Sequence, residues 1–392
     1  MRVRFGELSA DEALALRRAR DVAGEAWRCL RAGDDARARR LIEQLDPRLT
    51  LGIERSRDES CALAELSALE SPAWPLAELL LAQAPADLTC RLALGRMALP
   101  LERALAEVRA SHELKLEGAS LRAGFGRGHL LDVTVGVPAG SGSENEQNGA
   151  ESLVRALLGD RLFETWIGTV HATPAPRGGS LRVLDVNAPR TTLRLHELFD
   201  TVAAAARGLL QGLPGEPHAW QARSAGEPDA TDAGERTRGD WTMLEVEPLA
   251  DARGVRKEDL VLASTCVPEL LRCYLDGSPC ASRRFSRVGE VFVFVSYADE
   301  AGSLQQRLQR RTELENALGD AVTGVGAVTG VGLGVKTSYV DLALCNLETG
   351  LARLVSKLRD VGAPRDTFIQ FFDSELAEEW LSIWPDSRLT EG

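Results

Sequence analysis

Apolar residues in this chain change from a spacing of two to a spacing of three or four in one repeated order, on either side of a polar middle segment. That segment, residues 212–240, reads GLPGEPHAWQARSAGEPDATDAGERTRGD and is rich in Gly, Pro, Ala and charged residues. So few apolar side chains cannot offset the entropy lost on ordering, which predicts a flexible linker. We therefore expect an N-terminal α+β domain over 1–211 and a C-terminal α+β domain over 241–392. A chain of 392 residues is long enough for two such cores.

The second domain is predicted to contain a strand-helix-strand-strand-helix-strand (βαββαβ) unit over residues 290–372. Its strands are VFVFVSY, GAVTGVGLG, SYVDLAL and TFIQFF, in which apolar residues alternate or run continuously. Ser303 and Asn346 are N-cap residues for the two helices between them. This order is that of a split βαβ, or ferredoxin-like, unit with a mainly antiparallel sheet. A terminal helix is expected over 373–384.

The first domain is predicted to begin with a helical pair over residues 9–46 and to contain a similar βαββαβ unit over 88–173. Ser9 and Glu12 have the spacing of a capping box at the first helix. The unit would consist of strand LTCRLAL, a helix opening at Pro100, the hairpin of SLRAGFG and LLDVTVGV, a second helix and strand IGTVHAT. The predicted fold class is thus α+β, with one ferredoxin-like unit in each domain.

Composition argues against several classes of partner. The net charge of −12 opposes binding to nucleic acid or to anionic lipid. The N-terminus lacks the apolar core of a secretory signal, and no apolar run reaches the roughly 20 residues that span a bilayer. Seven cysteines, an odd number in mostly apolar segments, are typical of buried thiols in a reducing compartment. We expect a cytoplasmic protein.

The glycine tract GVGAVTGVGLGVKTSYVD is the most suggestive sequence for ligand chemistry. A phosphate-binding P-loop requires G-x-x-x-x-G-K-[ST] between a strand and a helix. In this tract a Val separates Gly334 from Lys336, and a strand pattern follows. The favoured interpretation is that Gly330, Gly332 and Gly334 allow a bulged or tightly turned hairpin.

The sequence predicts no metal and no cofactor. No two of the five histidines have ligand spacing. Cys266, Cys273 and Cys280 recur every seven residues, but structural zinc sites carry close C-x-x-C pairs, so packing in the core is the favoured interpretation.

Two acidic residues lie within otherwise apolar strands. Asp132 and Asp341 should face solvent, an Arg or a pocket, and with Tyr297 and Tyr339 they could line a binding surface. Exposure on an open sheet face is the favoured alternative.

A second acidic group lies near the C-terminus, in FFDSELAEEWLSIW. Glu375 and Glu379 would be one turn apart on a helix and, with Asp373, could bind a cation or a basic partner. The favoured alternative is a solvated face of the terminal helix, whose Trp and Leu residues pack on the domain.

Several tracts carry a resemblance to known sequences. WTMLEVEPL, SRRFSRVGEVFVFVSYAD, GAVTGVGLGVKTSYVDLAL and GAPRDTFIQFFDSELAEEW resemble a family of uncharacterised bacterial proteins of about this length, and the opening helices with LLDVTVGVP are similar to the N-terminal half of that family. The resemblance covers most of the chain and is most distinctive in the C-terminal half. It implies the same fold and assigns no activity, cofactor or catalytic residue.

Two functions remain open from the sequence. The first is a non-enzymatic protein-binding or regulatory module, for example an immunity or accessory factor, with a protein partner of unknown identity. The second is a small-ligand sensor or enzyme with a pocket between the two domains, lined by Tyr339, Asp341 and the glycine tract. The sequence contains no G-x-S-x-G nucleophile elbow, and no catalytic residue is predicted from it.

Overall fold

A computed structural model describes residues 10–56, 61–88, 90–138, 142–174, 191–215, 241–248 and 257–384. The chain divides into two compact units, the first ending at Gly208 and the second beginning at Leu209. Most of the predicted linker, residues 216–240, and Ser9 of the predicted capping box lie outside the described residues. None of the helices in the described ranges has the length and apolar content that a membrane crossing requires.

The N-terminal unit opens with helices and a three-stranded sheet. Its elements are α1 (Ala10–Arg31), α2 (Asp35–Leu45), β1 (Leu49–Arg55), β2 (Cys61–Ala68), α3 (Trp74–Ala82) and β3 (Arg91–Leu94). The predicted helical pair corresponds to α1 and α2, and the Asp34 carboxylate caps α2 by accepting a hydrogen bond from the Arg37 amide at 3.1 Å. In the sheet, β1 is antiparallel to β2, whereas β3 is parallel to β2.

A second sheet completes the N-terminal unit. Its elements are α4 (Leu101–His112), β4 (Ser120–Phe125), β5 (Leu131–Val137), α5 (Glu144–Leu158), α6 (Asp160–Trp166), β6 (Ile167–Pro174), β7 (Thr191–Leu193) and α7 (Leu198–Gln211). The strand order is β6-β5-β4-β7. Strands β5 and β6 are parallel, and the other pairs are antiparallel.

The βαββαβ unit predicted over residues 88–173 is therefore wrong. Its first strand, β3, belongs to the other sheet, where Leu63 of β2 pairs with Arg91. Its last strand, β6, is parallel to its neighbour β5. Alternation of apolar residues shows which side chains of a strand face a core, but it does not show which strand is the neighbour.

The C-terminal unit is built on one seven-stranded sheet. Its elements are β8 (Thr242–Glu245), β9 (Leu260–Thr265), α8 (Pro268–Leu275), β10 (Val291–Ala298), α9 (Leu304–Val322), β11 (Gly326–Gly334), β12 (Thr337–Leu344), α10 (Leu347–Asp360), β13 (Phe368–Phe371) and β14 (Trp380–Ser382). The strand order is β14-β13-β10-β12-β11-β9-β8, and every neighbouring pair is antiparallel. From β10 to β13 the chain follows the order predicted from its sequence, and Ser303 and Asn346 cap α9 and α10.

Both faces of this sheet are covered in its central strands. Alternate residues of β10 and β12 pack in one core with α9 and α10, among them Val293, Val295, Val340 and Leu342. The intervening residues pack in a second core with α8 and the chain that follows it, among them Phe292, Phe294, Tyr339 and Ala343. The open sheet face expected for Asp341 is therefore wrong, because a second apolar layer covers that face.

The terminal helix predicted over residues 373–384 is also wrong. This segment contains a short turn and then β14, which pairs with β13. Trp380, Leu381 and Ile383 are all buried. A strand at a sheet edge can bury neighbouring residues on both faces and gain ladder hydrogen bonds, whereas a surface helix buries a single stripe.

Candidate functional site

Four buried polar residues meet on the face of the C-terminal sheet that α8 covers, and we call them the polar centre: Lys257, Asp259, Tyr339 and Asp341. Strand β12 supplies two of them. Because side chains alternate along a strand, Tyr339 and Asp341 point to the face opposite Val340 and Leu342. The other two lie immediately before β9.

Lys257 and Asp341 form a buried ion pair. The Lys257 Nζ lies 2.5 Å from the Asp341 Oδ1, and the two side chains are 1% and 5% exposed. The ammonium also lies over three aromatic rings, 4.9 Å from the centroid of Phe294, 4.8 Å from that of Tyr339 and 5.4 Å from that of Phe372. Burial lowers the pKa of Lys257, while the Asp341 charge and hydrogen bond act to raise it. The carboxylate and the rings together replace the water that a lysine ammonium loses on burial.

Asp259 holds the β11–β12 turn. Its Oδ2 accepts hydrogen bonds from the backbone amides of Lys336 at 2.8 Å and Thr337 at 3.0 Å. Its Oδ1 accepts a hydrogen bond from the Tyr339 hydroxyl. Burial, together with the neighbouring carboxylate that accepts this bond, raises the pKa of Tyr339. Asp259, directly before β9, is thus hydrogen-bonded to the β11–β12 turn and to the start of β12.

The glycine tract makes room for these acidic side chains. A Cβ at Gly330 would lie 2.9 Å from the Asp341 Oδ2, and one at Gly334 would lie 2.3 Å from the Asp259 Oδ1. A Cβ at Gly332 would lie 2.6 Å from the Leu260 Cδ1. Contacts below 3.0 Å force neighbouring atoms to move. The predicted bulge is confirmed, since the β11–β12 register shifts between Val328 and Gly330.

We expect Gly334→Ala to lower the free energy of unfolding of the C-terminal unit by about 1–3 kcal/mol, as overpacking in a core does. The added methyl would displace an Asp259 carboxylate that three hydrogen bonds hold in place. Urea unfolding followed by hydrogen exchange of β11 and β12 peptides measures the change.

Gly319→Ala is the matched control. Its Cβ would meet only the Val328 Cγ2, at an ordinary 3.6 Å, within helix α9. Alanine favours a helix over glycine by about 1 kcal/mol, so this variant should be as stable as the wild type or more stable. Equal losses in both variants would contradict the proposed role of the glycine tract.

Other residues that the sequence singled out lie elsewhere. Tyr297 pairs with Ser338 on the face of the sheet that α9 and α10 cover, and burial raises the pKa of Tyr297 to about 12. Asp132 belongs to the N-terminal unit, where its Oδ1 accepts hydrogen bonds from the Thr169 amide at 3.2 Å and the Thr169 hydroxyl at 2.7 Å. Tyr297 therefore does not line one surface with Tyr339 and Asp341, because these side chains lie on opposite faces of the sheet.

The C-terminal acidic residues are structural contacts rather than a helix face. Asp373 is half-buried and accepts hydrogen bonds from the amide of Ser282, at 2.7 Å, and from its hydroxyl. Burial raises the pKa of Asp373. Glu375 pairs with Arg283 at 3.0 Å, and Glu379 is buried. Asp373 and Glu375 thus attach the segment before β14 to the segment after α8.

Sequence reasoning missed Lys257 and Asp259. Lysine is rare in this arginine-rich chain, which was the one signal available for Lys257. Asp259 stands directly before the apolar run of β9, and that strand was itself not predicted.

Tyr339 and Asp341 of the polar centre lie beside the glycine tract, and both contact the Lys257 ammonium. Across the parts of the chain that the structure describes, no three His, Cys, Asp or Glu side chains converge as a metal site requires. Comparison of the chain with protein-family models, curated proteins and solved structures gives no match.

Proposed function

We propose that this chain is a non-enzymatic protein-binding or regulatory module, of the kind that serves as an immunity or accessory factor. The observation that carries the proposal is the Lys257–Asp341 pair at 2.5 Å within three aromatic rings. The residues that a small ligand would use are already engaged with one another. Their chemistry supports a rigid scaffold rather than a reaction centre.

The proposed scaffold of the C-terminal unit is ferredoxin-like. Strand order β13-β10-β12-β11, with α9 and α10 on one face, supports this assignment. Strands β9 and β8 extend the sheet beyond the four strands of that unit. The proposal does not extend to the N-terminal unit, whose strands divide between two sheets.

The surface that we propose for the partner is the outer edge of β8. This strand lies at one end of the seven-stranded sheet. Edge strands offer backbone N–H and C=O groups to which a partner strand can add. Met243 on β8 is 69% exposed, the largest value among the large apolar side chains described. The chain's net charge of −12 favours a partner with a basic surface.

A capture experiment with matched variants tests this proposal. Wild-type protein, Met243→Arg and Val361→Arg serve as baits in native lysate, and recovered proteins are compared by quantitative mass spectrometry. Val361 is 45% exposed and follows α10, so it controls for the added charge. We expect at least one protein to be retained by wild type and Val361→Arg and lost from Met243→Arg. Recovery of the same proteins by both variants, or of none by wild type, would contradict the proposal.

A ligand screen tests the alternative. A small molecule at 100 times its Kd adds about 2.7 kcal/mol of stability, which a thermal-shift assay detects. We expect no shift with nucleotides, metal ions or common metabolites. A ligand that stabilises the wild type and fails to stabilise Asp341→Leu would support a sensor or enzyme instead.

A further inference from the structure

Strand β8 leaves one edge of the C-terminal sheet accessible to another strand. It lies at the end of the strand order, where its one neighbour among the described strands is β9. On β14, the strand at the other edge, Trp380 and Leu381 are 3% and 7% exposed, whereas Met243 on β8 is 69% exposed. Of the two edge strands, β8 thus offers the more accessible surface to a partner.

The pairing of β8 with β9 shows which backbone groups point away from the sheet. The Val246 amide donates a hydrogen bond to the Val261 carbonyl oxygen at 2.9 Å. Bonded and non-bonded residues alternate along an antiparallel strand, so Leu244 bonds to β9 as Val246 does. The N–H and C=O groups of Met243 and Glu245 consequently point outward, where a partner strand can pair with them.

The side chains at the outward positions differ from those between them. Leu244 and Val246 pack against the core that α8 covers, whereas Met243, Glu245 and Glu247 are exposed on the opposite face. Within the described parts of the chain, neither glutamate carboxylate forms an ion pair or a hydrogen bond. One apolar side chain and two unpaired carboxylates therefore stand at alternate positions along the accessible edge.

A strand added to this edge would meet these three side chains in a fixed order. Residues directly opposite one another in an antiparallel pair carry their side chains on the same face, with Cβ atoms about 5 Å apart. Opposite charges at such positions are stabilising, and like charges are destabilising. A complementary strand has a basic residue opposite Glu247, a second basic residue opposite Glu245 and an apolar residue opposite Met243.

We infer that the β8 edge binds an extended basic segment of a partner protein. The segment lies antiparallel to β8 and carries Lys or Arg at two alternate positions, followed two positions later by an apolar residue. Backbone hydrogen bonds supply affinity in this mode of binding, and the alternate side chains supply specificity. The inference rests on the proposed protein-binding function and states the chemistry of the partner.

A second copy of the chain is a poor occupant of this edge. Antiparallel pairing of two β8 strands about Glu245 would place the Glu245 carboxylates of the two copies opposite one another. The same pairing would place Glu247 opposite Met243 rather than opposite a cation. The charges on β8 therefore favour a basic segment over a second copy.

Two peptides of identical composition test the spacing of the charges. Fluorescein-labelled Ser-Arg-Thr-Arg-Thr-Val-Ser has the inferred spacing, and Ser-Arg-Arg-Thr-Thr-Val-Ser moves one arginine to the other face of the strand. Binding of each to the full-length protein is measured by fluorescence polarisation. We expect the first peptide to bind about tenfold more tightly, because only its two cations both lie opposite carboxylates. Equal affinities, or no binding of the first peptide, would overturn the inference.

Charge reversal on the protein tests the two carboxylates. The double variant Glu245→Lys, Glu247→Lys should bind the first peptide about tenfold more weakly and should bind Ser-Glu-Thr-Glu-Thr-Val-Ser in its place. The matched control is Glu300→Lys with Asp366→Lys, two exposed residues after β10 and before β13, on the far side of the sheet. The control should keep the wild-type affinity for the first peptide. An equal loss in both double variants would show attraction to the net charge alone and contradict the inference.

The Met243→Arg bait separates this inference from the proposed function. A protein that this bait loses, together with equal binding of the two arginine peptides, would support the function and overturn the stated chemistry. Capture of no protein by the wild type would instead contradict the function itself. A wild-type dimer that Met243→Arg dissociates, measured by sedimentation equilibrium, would identify a second copy as the occupant and overturn the inference.

Discussion

Replacing Asp341 by Ala is expected to lower the free energy of unfolding of the C-terminal unit by about 3–5 kcal/mol, the usual cost of removing one partner from a buried ion pair. The Lys257 ammonium would remain inside the core without its carboxylate. It would either lose its proton or draw the start of β9 away from the sheet. Urea unfolding read by pulsed hydrogen exchange of β10 and β12 peptides gives the loss, and β5 peptides from the other unit should not change.

Two comparisons identify the charge as the cause. Lys257→Met with Asp341→Leu keeps the shapes of both side chains and removes both charges, and such replacements are commonly neutral or stabilising. The double variant should therefore recover most of the loss. Glu269→Ala breaks an exposed pair with Arg272, at 2.6 Å, and should cost less than about 1 kcal/mol. A double variant as unstable as Asp341→Ala would show that lost packing dominates.

Asp259→Ala is expected to be the second most damaging substitution, with a loss of about 3 kcal/mol. It removes the acceptor for the Lys336 and Thr337 amides and for the Tyr339 hydroxyl. Each buried donor left without an acceptor costs about 1–3 kcal/mol. Amides in the β11–β12 turn should exchange faster than in the wild type, since this carboxylate holds the turn.

Tyr339→Phe separates the hydroxyl from the rest of the site. It removes one donor and leaves both amide bonds to Asp259 intact, so the loss should be about 1 kcal/mol. Exchange in the β11–β12 turn should stay near the wild-type rate. A Tyr339→Phe variant that is as unstable as Asp259→Ala would place the main contribution in the tyrosine ring contacts and not in the carboxylate.

Part of the polar centre could be predicted from sequence. Asp341 stood out because a carboxylate interrupts an apolar strand, and the glycine tract stood out by its density. Their partners could not be predicted. Lys257 and Asp341 are separated by 84 positions, and no local pattern reports a contact at that range.

For the acidic residues near the C-terminus, the sequence pattern predicted a helix that the structure does not contain. Glu375 and Glu379 have helical spacing, and Trp380 and Trp384 repeat it. The segment instead forms a turn and a strand because β13 offers an edge for pairing. Spacing within a dozen residues does not show whether a sheet edge lies next to them.

The sequence by itself determined the order of strands and helices from β10 to β13, the caps of α9 and α10, and the positions of glycine in β11. These follow from side-chain periodicity and cap chemistry, which act over a few residues. Only the tertiary structure decided that β3 joins β2, that a second layer covers Asp341, and that Lys257 lies beside Asp341. Those outcomes depend on burial and charge between distant segments, whose energies exist only once the chain has packed.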